Sequence, residues 1–225
     1  MSTLSMPVEA VSMIALHGVA ASTDEVDQFI SPLVERFPTK GVHWVFPKAP
    51  CRPVTVLGGR PALAWYDVLA WDRSRMDSEG IEEATCSLNQ ILEAERLRGV
   101  PPERIVLAGF SQGGALALHA GLRLGAALGG IVALSSALPF LKGIPERQGA
   151  CPPLFLAHGL FDTTIPFSVG QASARLLKLK GYDVQWQSYP IGHWISQTEL
   201  SDVSRWLQSR VLSRPSAAGP ASSAA

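Results

Sequence analysis

The stretch Ile105-Val106-Leu107-Ala108-Gly109-Phe110-Ser111-Gln112-Gly113-Gly114-Ala115-Leu116-Ala117-Leu118 decides the fold. An apolar run rich in branched side chains ends at Gly109, and a helix-favouring run of alanine and leucine begins just past Gly114. Ser111 therefore falls at the junction of a buried strand and a helix. So sharp a turn forces its corner residue into an unusual backbone conformation, and side chains two positions before and after would collide, which Gly109 and Gly113 avoid. The Ser111 hydroxyl is then exposed at the carboxyl edge of a sheet, with the N-terminus of the following helix aimed at any oxyanion formed there. The backbone N–H of Gln112 is one natural donor to that oxyanion. Gly-x-Ser-x-Gly alone also occurs as small residues in a tight turn; the strand before it and the helix after it favour a nucleophile.

Outward from this elbow, strands and helices alternate. Residues 11–16 form a short apolar run ended by His17-Gly18, the pattern of a buried parallel strand entering a tight loop. Ser22-Thr23-Asp24-Glu25 starts a helix carrying Val26, Phe29, Ile30, Leu33, Val34 and Phe37 at helical spacing. Residues 42–46 read as the next strand. Residues 79–98 spell a helix with Ile81, Ala84, Leu88, Ile91 and Leu92 on one face. Past the elbow, residues 130–135 and 154–158 read as buried strands, 171–180 as a helix, 184–189 as an alternating strand at the sheet margin and 199–211 as a closing helix. Such alternation implies a mostly parallel sheet covered by helices on both faces. Between the second strand and the 79–98 helix, residues 47–77 carry prolines, glycines and Trp65, Tyr66 and Trp71, and read as an irregular flap on the substrate side or as a loop packed on the core. The expected organisation is a lead-in over residues 1–10, one domain over 11–212 and a disordered tail over 213–225.

The 225 residues suit one α/β domain, and 47% hydrophobic against 17% charged residues describes a globular chain. The 19 basic and 19 acidic residues balance, with no basic stripe, which argues against a nucleic-acid partner. Three separated cysteines, Cys51, Cys86 and Cys151, contain no Cys-x-x-Cys pair and fit a reduced, cytoplasmic setting. No segment approaches the length of a bilayer span, so no stable membrane insertion is expected. Neither a cofactor nor a metal is called for: His-x-His and His-Glu-x-x-His spacings do not occur.

A serine nucleophile requires a base, ordinarily an imidazole oriented by a carboxylate, and in this fold type the chain order is serine, acid, histidine. Of the five histidines, His43 lies in a strand, His119 on the elbow helix, and His17 and His158 at strand ends where they brace loops. His193, in Pro190-Ile191-Gly192-His193-Trp194 after the last strand, follows both the serine and an acid. Among the carboxylates after Ser111, Glu146 sits in a loop before a strand, Asp183 on the wrong sheet edge, and Glu199 and Asp202 in the last helix. Asp162, in His158-Gly159-Leu160-Phe161-Asp162, leaves the correct edge, although a turn or helix-capping role also suits it. The second oxyanion donor is assigned to the N–H of Val19, in the loop after the first strand.

Leu16-His17-Gly18, Gly109-Phe110-Ser111-Gln112-Gly113-Gly114, His158-Gly159-x-x-Asp162 and Gly192-His193, in that order, resemble the carboxylesterase and acyl-protein thioesterase (lysophospholipase-like) family of α/β-hydrolases. The resemblance runs from about residue 11 to 212, including Arg52-Pro53-Val54-Thr55, Gly58-Gly59 and Trp65-Tyr66-Asp67 in the flap. It implies a small serine hydrolase without a large cap domain, acting on a small-molecule ester or thioester, an acylated protein or a lysolipid. It assigns Ser111, Asp162 and His193 as the catalytic triad, Val19 and Gln112 as the oxyanion hole, and Leu57 and Trp65 as walls of the acyl pocket.

Two positions depart from the family pattern. Ala20 stands where the first loop ordinarily carries glycine, which narrows the backbone options there. Trp194 follows the histidine where a small or polar residue is common, and its ring would narrow the substrate site. A peptidase or amidase would use the same triad but calls for a larger amine site; a non-catalytic binding protein has no need of all three residues. Residues 125–130 and the apolar flap are as compatible with a homodimer as with internal packing.

Overall fold

The structure is a computed structural model, describing residues 11–20, 22–36, 41–71, 73–147 and 149–213. The expected lead-in, the tail beyond residue 213 and Phe37 lie outside the described residues. Six strands, β1 (Val11–Leu16), β2 (Val42–Val45), β5 (Ile105–Phe110), β6 (Gly130–Leu134), β7 (Leu154–Gly159) and β8 (Val184–Tyr189), form one sheet in the order β2-β1-β5-β6-β7-β8. Every pairing in it is parallel. This is the α/β-hydrolase fold. All six residues of β1 and all five of β6 are buried, because helices cover both faces and leave no solvated side for polar alternation.

The period of two along each strand sorts side chains between two cores. Ile14, Leu16, Leu107 and Ile131 point towards α2 (Ser78–Leu97), α3 (Gln112–Gly121) and α4 (Phe167–Leu179), meeting Leu88, Leu116 and Leu177. Met13, Val106, Val132 and Phe155 point the other way, against Leu200, Val203 and Trp206 of α5 (Gln197–Leu207), beside which lies α1 (Thr23–Arg36). After β1 the chain steps to the sheet edge as β2 and later returns to β1's other side as β5. The loops leaving β1 and β5 therefore diverge, opening a crevice at their carboxyl ends where ligands of such sheets bind.

The flap is more regular than its sequence suggests. It holds a hairpin of β3 (Cys51–Val54) and β4 (Arg60–Leu63), with Pro53 opposite Pro61. Two prolines in strands of four residues hide this pairing from any propensity reading. The hairpin is tied to the β1 loop by an antiparallel bridge, Ala20 N–H to Leu63 O at 3.1 Å and Leu63 N–H to Ala20 O at 2.8 Å. Ala20 does this with negative φ, so its Cβ is accommodated.

Two helix boundaries also differ. α4 begins at Phe167, not at 171, because Gly170 reads as a helix breaker although it serves close approach: a Cβ there would lie 2.3 Å from His158 Nδ1. α5 begins at Gln197 behind a capping box of Ser196 and Glu199, and residues 208–212 follow as a wider turn. Among the described residues no helix is long and apolar enough to cross a membrane.

Candidate active site

The elbow between β5 and α3 holds Ser111 at φ 53° and ψ −117°, a conformation that side-chain-bearing residues rarely adopt. Its flanking glycines are needed for space. A Cβ on Gly109 would lie 2.3 Å from the Gly113 backbone, and one on Gly113 would lie 2.2 Å from Leu16 O at the end of β1. Ser111 N–H donates to Leu134 O at 2.9 Å, and the Ser136 hydroxyl donates to Ser111 O at 2.7 Å, so the strained corner is held from β6 and the loop after it.

Three side chains from three loops meet here. His193 Nε2 lies 2.9 Å from Ser111 Oγ, and His193 Nδ1 lies 2.7 Å from Asp162 Oδ2. The carboxylate partner assigns the proton to Nδ1 and leaves Nε2 to accept from the serine hydroxyl. Asp162 is fixed by backbone donors: Oδ1 accepts from Thr164 N–H at 2.9 Å and Ile165 N–H at 2.8 Å. The acid and histidine loops are laced together by Leu160 N–H to Tyr189 O at 2.7 Å and Phe161 N–H to Ile191 O at 2.9 Å.

A fourth group belongs to this array. His158 Nε2 approaches Asp162 Oδ2 at 3.2 Å and Ile165 O at 2.8 Å. Both partners accept, so Nε2 carries the proton. Burial, before any other influence, pulls His158 below its ordinary value, and the ring stays neutral beside the carboxylate. Sequence reasoning saw His158 as a loop brace; its spacing of four from Asp162 within one turn was the available signal.

Val19 and Gln112, the expected oxyanion donors, both border the cleft beside Ser111 and His193. Neither N–H has a hydrogen-bond acceptor among the described residues. The Gln112 side chain clamps the flap, its Oε1 accepting from Trp65 N–H at 2.8 Å and its Nε2 donating to Tyr66 O at 2.7 Å. His17 braces the β1 loop: its Nε2 accepts from Ala49 N–H at 3.0 Å and its Nδ1 donates to Gly18 O at 2.6 Å. Burial lowers the His17 pKa, which keeps Nε2 available as that acceptor.

The cleft holds about 180 Å³ and is mainly apolar, with Tyr66, Val68, Leu69, Trp71, Met76 and Ile165 in its walls. Leu57, Trp65 and Trp194, expected as pocket residues, do not border it. Trp65 turns inward, its indole N–H donating to His17 O at 2.9 Å and its ring 5.2 Å from that imidazole. Leu57 packs with Val54, Ala62 and Ala64 of the hairpin. Trp194 is 57% exposed and folds its ring over Gly192, where a Cβ would lie 2.4 Å from it.

Comparison with known proteins agrees with this architecture. The family model described as phospholipase/carboxylesterase matches residues 6–211. Acyl-protein thioesterase 1 of Gibberella zeae is 37% identical over 182 residues, covering 76% of this chain and 77% of that one. Carboxylesterase SOBER1 of Arabidopsis thaliana is 33% identical over 204 residues, covering 87% and 89%. The crystal structure of SOBER1 superposes with a TM-score of 0.79 at 30% identity, over 89% of this chain and 99% of that chain. Zea mays acyl-protein thioesterase 2 gives 0.75 at 28% identity, over 90% and 94%.

Proposed function

The chain belongs to the phospholipase/carboxylesterase family of α/β-hydrolases, an esterase or thioesterase, and on that premise we propose that Ser111, His193 and Asp162 are its catalytic triad. The observation that carries the reading is the unbroken relay Asp162 Oδ2, His193 Nδ1, His193 Nε2, Ser111 Oγ, with links of 2.7 and 2.9 Å. Ser111 Oγ attacks the ester or thioester carbonyl as His193 Nε2 takes its proton. The tetrahedral oxyanion accepts from the N–H groups of Val19 and Gln112 at the positive end of α3. His193 then protonates the departing alcohol or thiol, leaving the acyl group on Ser111. Water, activated by the same imidazole, releases the acid and restores the serine.

The substrate class follows from likeness and from the cleft. Relatives named acyl-protein thioesterase support thioesters of acylated proteins, the family description supports phospholipid and other carboxylic esters, and the apolar walls support an acyl chain.

The test is hydrolysis of 4-nitrophenyl esters from acetyl to palmitoyl. Ser111→Ala is expected to lose on the order of a millionfold in kcat and Asp162→Asn about ten-thousandfold, both folding normally. Full activity in Ser111→Ala refutes the triad. A fluorophosphonate should label the wild type at Ser111 and leave the variant unmodified.

A further inference from the structure

Two cations face the apolar cleft. Arg73 and Arg75, from the flap segment after β4, border it together with Ser111 and His193. Among the described residues neither guanidinium forms an ion pair with a carboxylate. Arg73 is half-buried, and among the described residues its guanidinium makes one hydrogen bond, Nη2 donating to Leu138 O at 2.5 Å, which aims it. Burial, more than any other influence, draws its pKa down, the mark of a charge kept from water without a counter-ion. Its backbone is strained as well, at φ 61° without being glycine, a feature that collects at ligand sites.

The acidic groups nearby take their hydrogen bonds from partners other than these arginines, and the phenol beside them stays neutral. Asp67 also borders the cleft, but its carboxylate accepts from the Thr55 N–H at 2.7 Å and the Thr55 hydroxyl at 2.5 Å. Asp77 accepts from Asp67 N–H and Gly80 N–H, both at 2.9 Å. Tyr66 is pushed up to about 12, chiefly by burial, and stays neutral. Among the described residues that border the cleft, Arg73 and Arg75 are accompanied by one carboxylate, Asp67, with which neither forms an ion pair.

We infer that the preferred substrates are esters carrying an anionic group, a carboxylate or phosphate placed away from the scissile bond, which Arg73 and Arg75 bind. A guanidinium offers paired donors to such a group, and in a largely apolar cleft the pairing is weakly screened. The assignment rests on the esterase reading above and narrows it.

The experiment compares charge-matched pairs. Mono-4-nitrophenyl glutarate is set against 4-nitrophenyl valerate, which differ by a carboxylate for a methyl on the acyl side. The butyrate esters of 4-hydroxybenzoate and of 4-hydroxyphenyl phosphate, each formed at the phenolic oxygen, are set against phenyl butyrate, testing carboxylate and phosphate on the alcohol side. Wild type, Arg73→Gln, Arg75→Gln and the double variant are assayed, with folding checked by circular dichroism. At least one anionic-to-neutral ratio of kcat/KM is expected to fall about tenfold or more in the double variant, the scale of one charge-assisted hydrogen bond. Arg73→Lys and added salt should produce part of that fall. Ratios unchanged in every pair overturn the assignment while leaving the esterase reading intact; should Arg73→Gln misfold, Arg75→Gln and Arg73→Lys decide it by the same ratios. Failure of the wild type to cleave any of these esters overturns the esterase reading itself.

Discussion

His158 and His193 converge on one carboxylate oxygen: Asp162 Oδ2 lies 3.2 Å from His158 Nε2 and 2.7 Å from His193 Nδ1. His158 is completely buried, and α4 packs over it through Gly170, so Asp162 Oδ2 is held by a second, fixed imidazole besides His193. His158→Leu removes that donor while keeping apolar volume. The expected result is a fall in kcat of about tenfold, one hydrogen bond's worth, with KM little changed. His158→Gln, which retains an N–H donor, should recover part of the loss; steady-state kinetics on one short-chain ester reads both.

Gln112 joins the elbow to the flap through both atoms of its amide. In Gln112→Ala the N–H of Trp65 and the carbonyl of Tyr66, both in buried residues, lose their partners. Unfolding free energy is expected to drop by roughly 2–5 kcal/mol, read by urea titration. Turnover should fall too, because the flap wall loosens.

Gly113 of the elbow and Gly143, in the loop between β6 and β7, should separate steric from torsional cost. Gly113→Ala drives a Cβ against two carbonyl oxygens at the end of β1, at 2.2 and 2.6 Å, and backbone cannot yield there. A loss of about 4 kcal/mol or more, or failure to express in soluble form, is expected. Gly143→Ala meets nothing within 4 Å but has φ +70°, and should cost about 1–2 kcal/mol. Equal melting temperatures for the two variants would contradict the packing described for the elbow.

Glu199 offers a pH test. It is wholly buried, accepts from Ser196 N–H with Oε2, has no partner for Oε1 among the described residues, and is pushed up from 4.5 to about 7, chiefly by burial. Between these values the folded protein binds more protons than the unfolded chain, so this carboxyl lowers stability as pH rises from 4.5 towards 7. Glu199→Gln should remove that slope, gaining on the order of 2–3 kcal/mol at pH 8 relative to pH 4.5. His17, His119 and His158 act in the opposite sense: each is lowered from 6.5 mainly by burial, so stability falls as pH drops below 6.5. Chemical denaturation of both proteins from pH 4.5 to 8 measures the two contributions.

The sheet was legible because parallel strands buried on both faces leave continuous apolar runs, as at residues 11–16, 105–110 and 154–158. Ser111, Asp162 and His193 could be singled out because each lies at a carboxyl strand end, where chain order restricts the choice. The flap resisted reading. Its hairpin pairs proline with proline, and its aromatics divide their tasks, Trp65 locking inward by an indole bond that no periodicity encodes. Arg73 and Arg75 look in sequence like two charges in a polar loop, and only the fold sets them beside Ser111. His158 and Gly170 form a pair distant in sequence, each with an innocent local explanation.

The bridge between Ala20 and Leu63 couples two parts that engineering would prefer to treat separately. Through it the hairpin and the backbone of Val19 share one rigid frame, and Gln112 fastens the same flap to the elbow. Graft a new flap to widen substrate range, and the proposed oxyanion donors are re-aimed with it. Selectivity and turnover in this scaffold are therefore expected to evolve together, and libraries restricted to side chains such as Leu69, Trp71 and Met76, which leave the bridge untouched, are the route to changing one without the other.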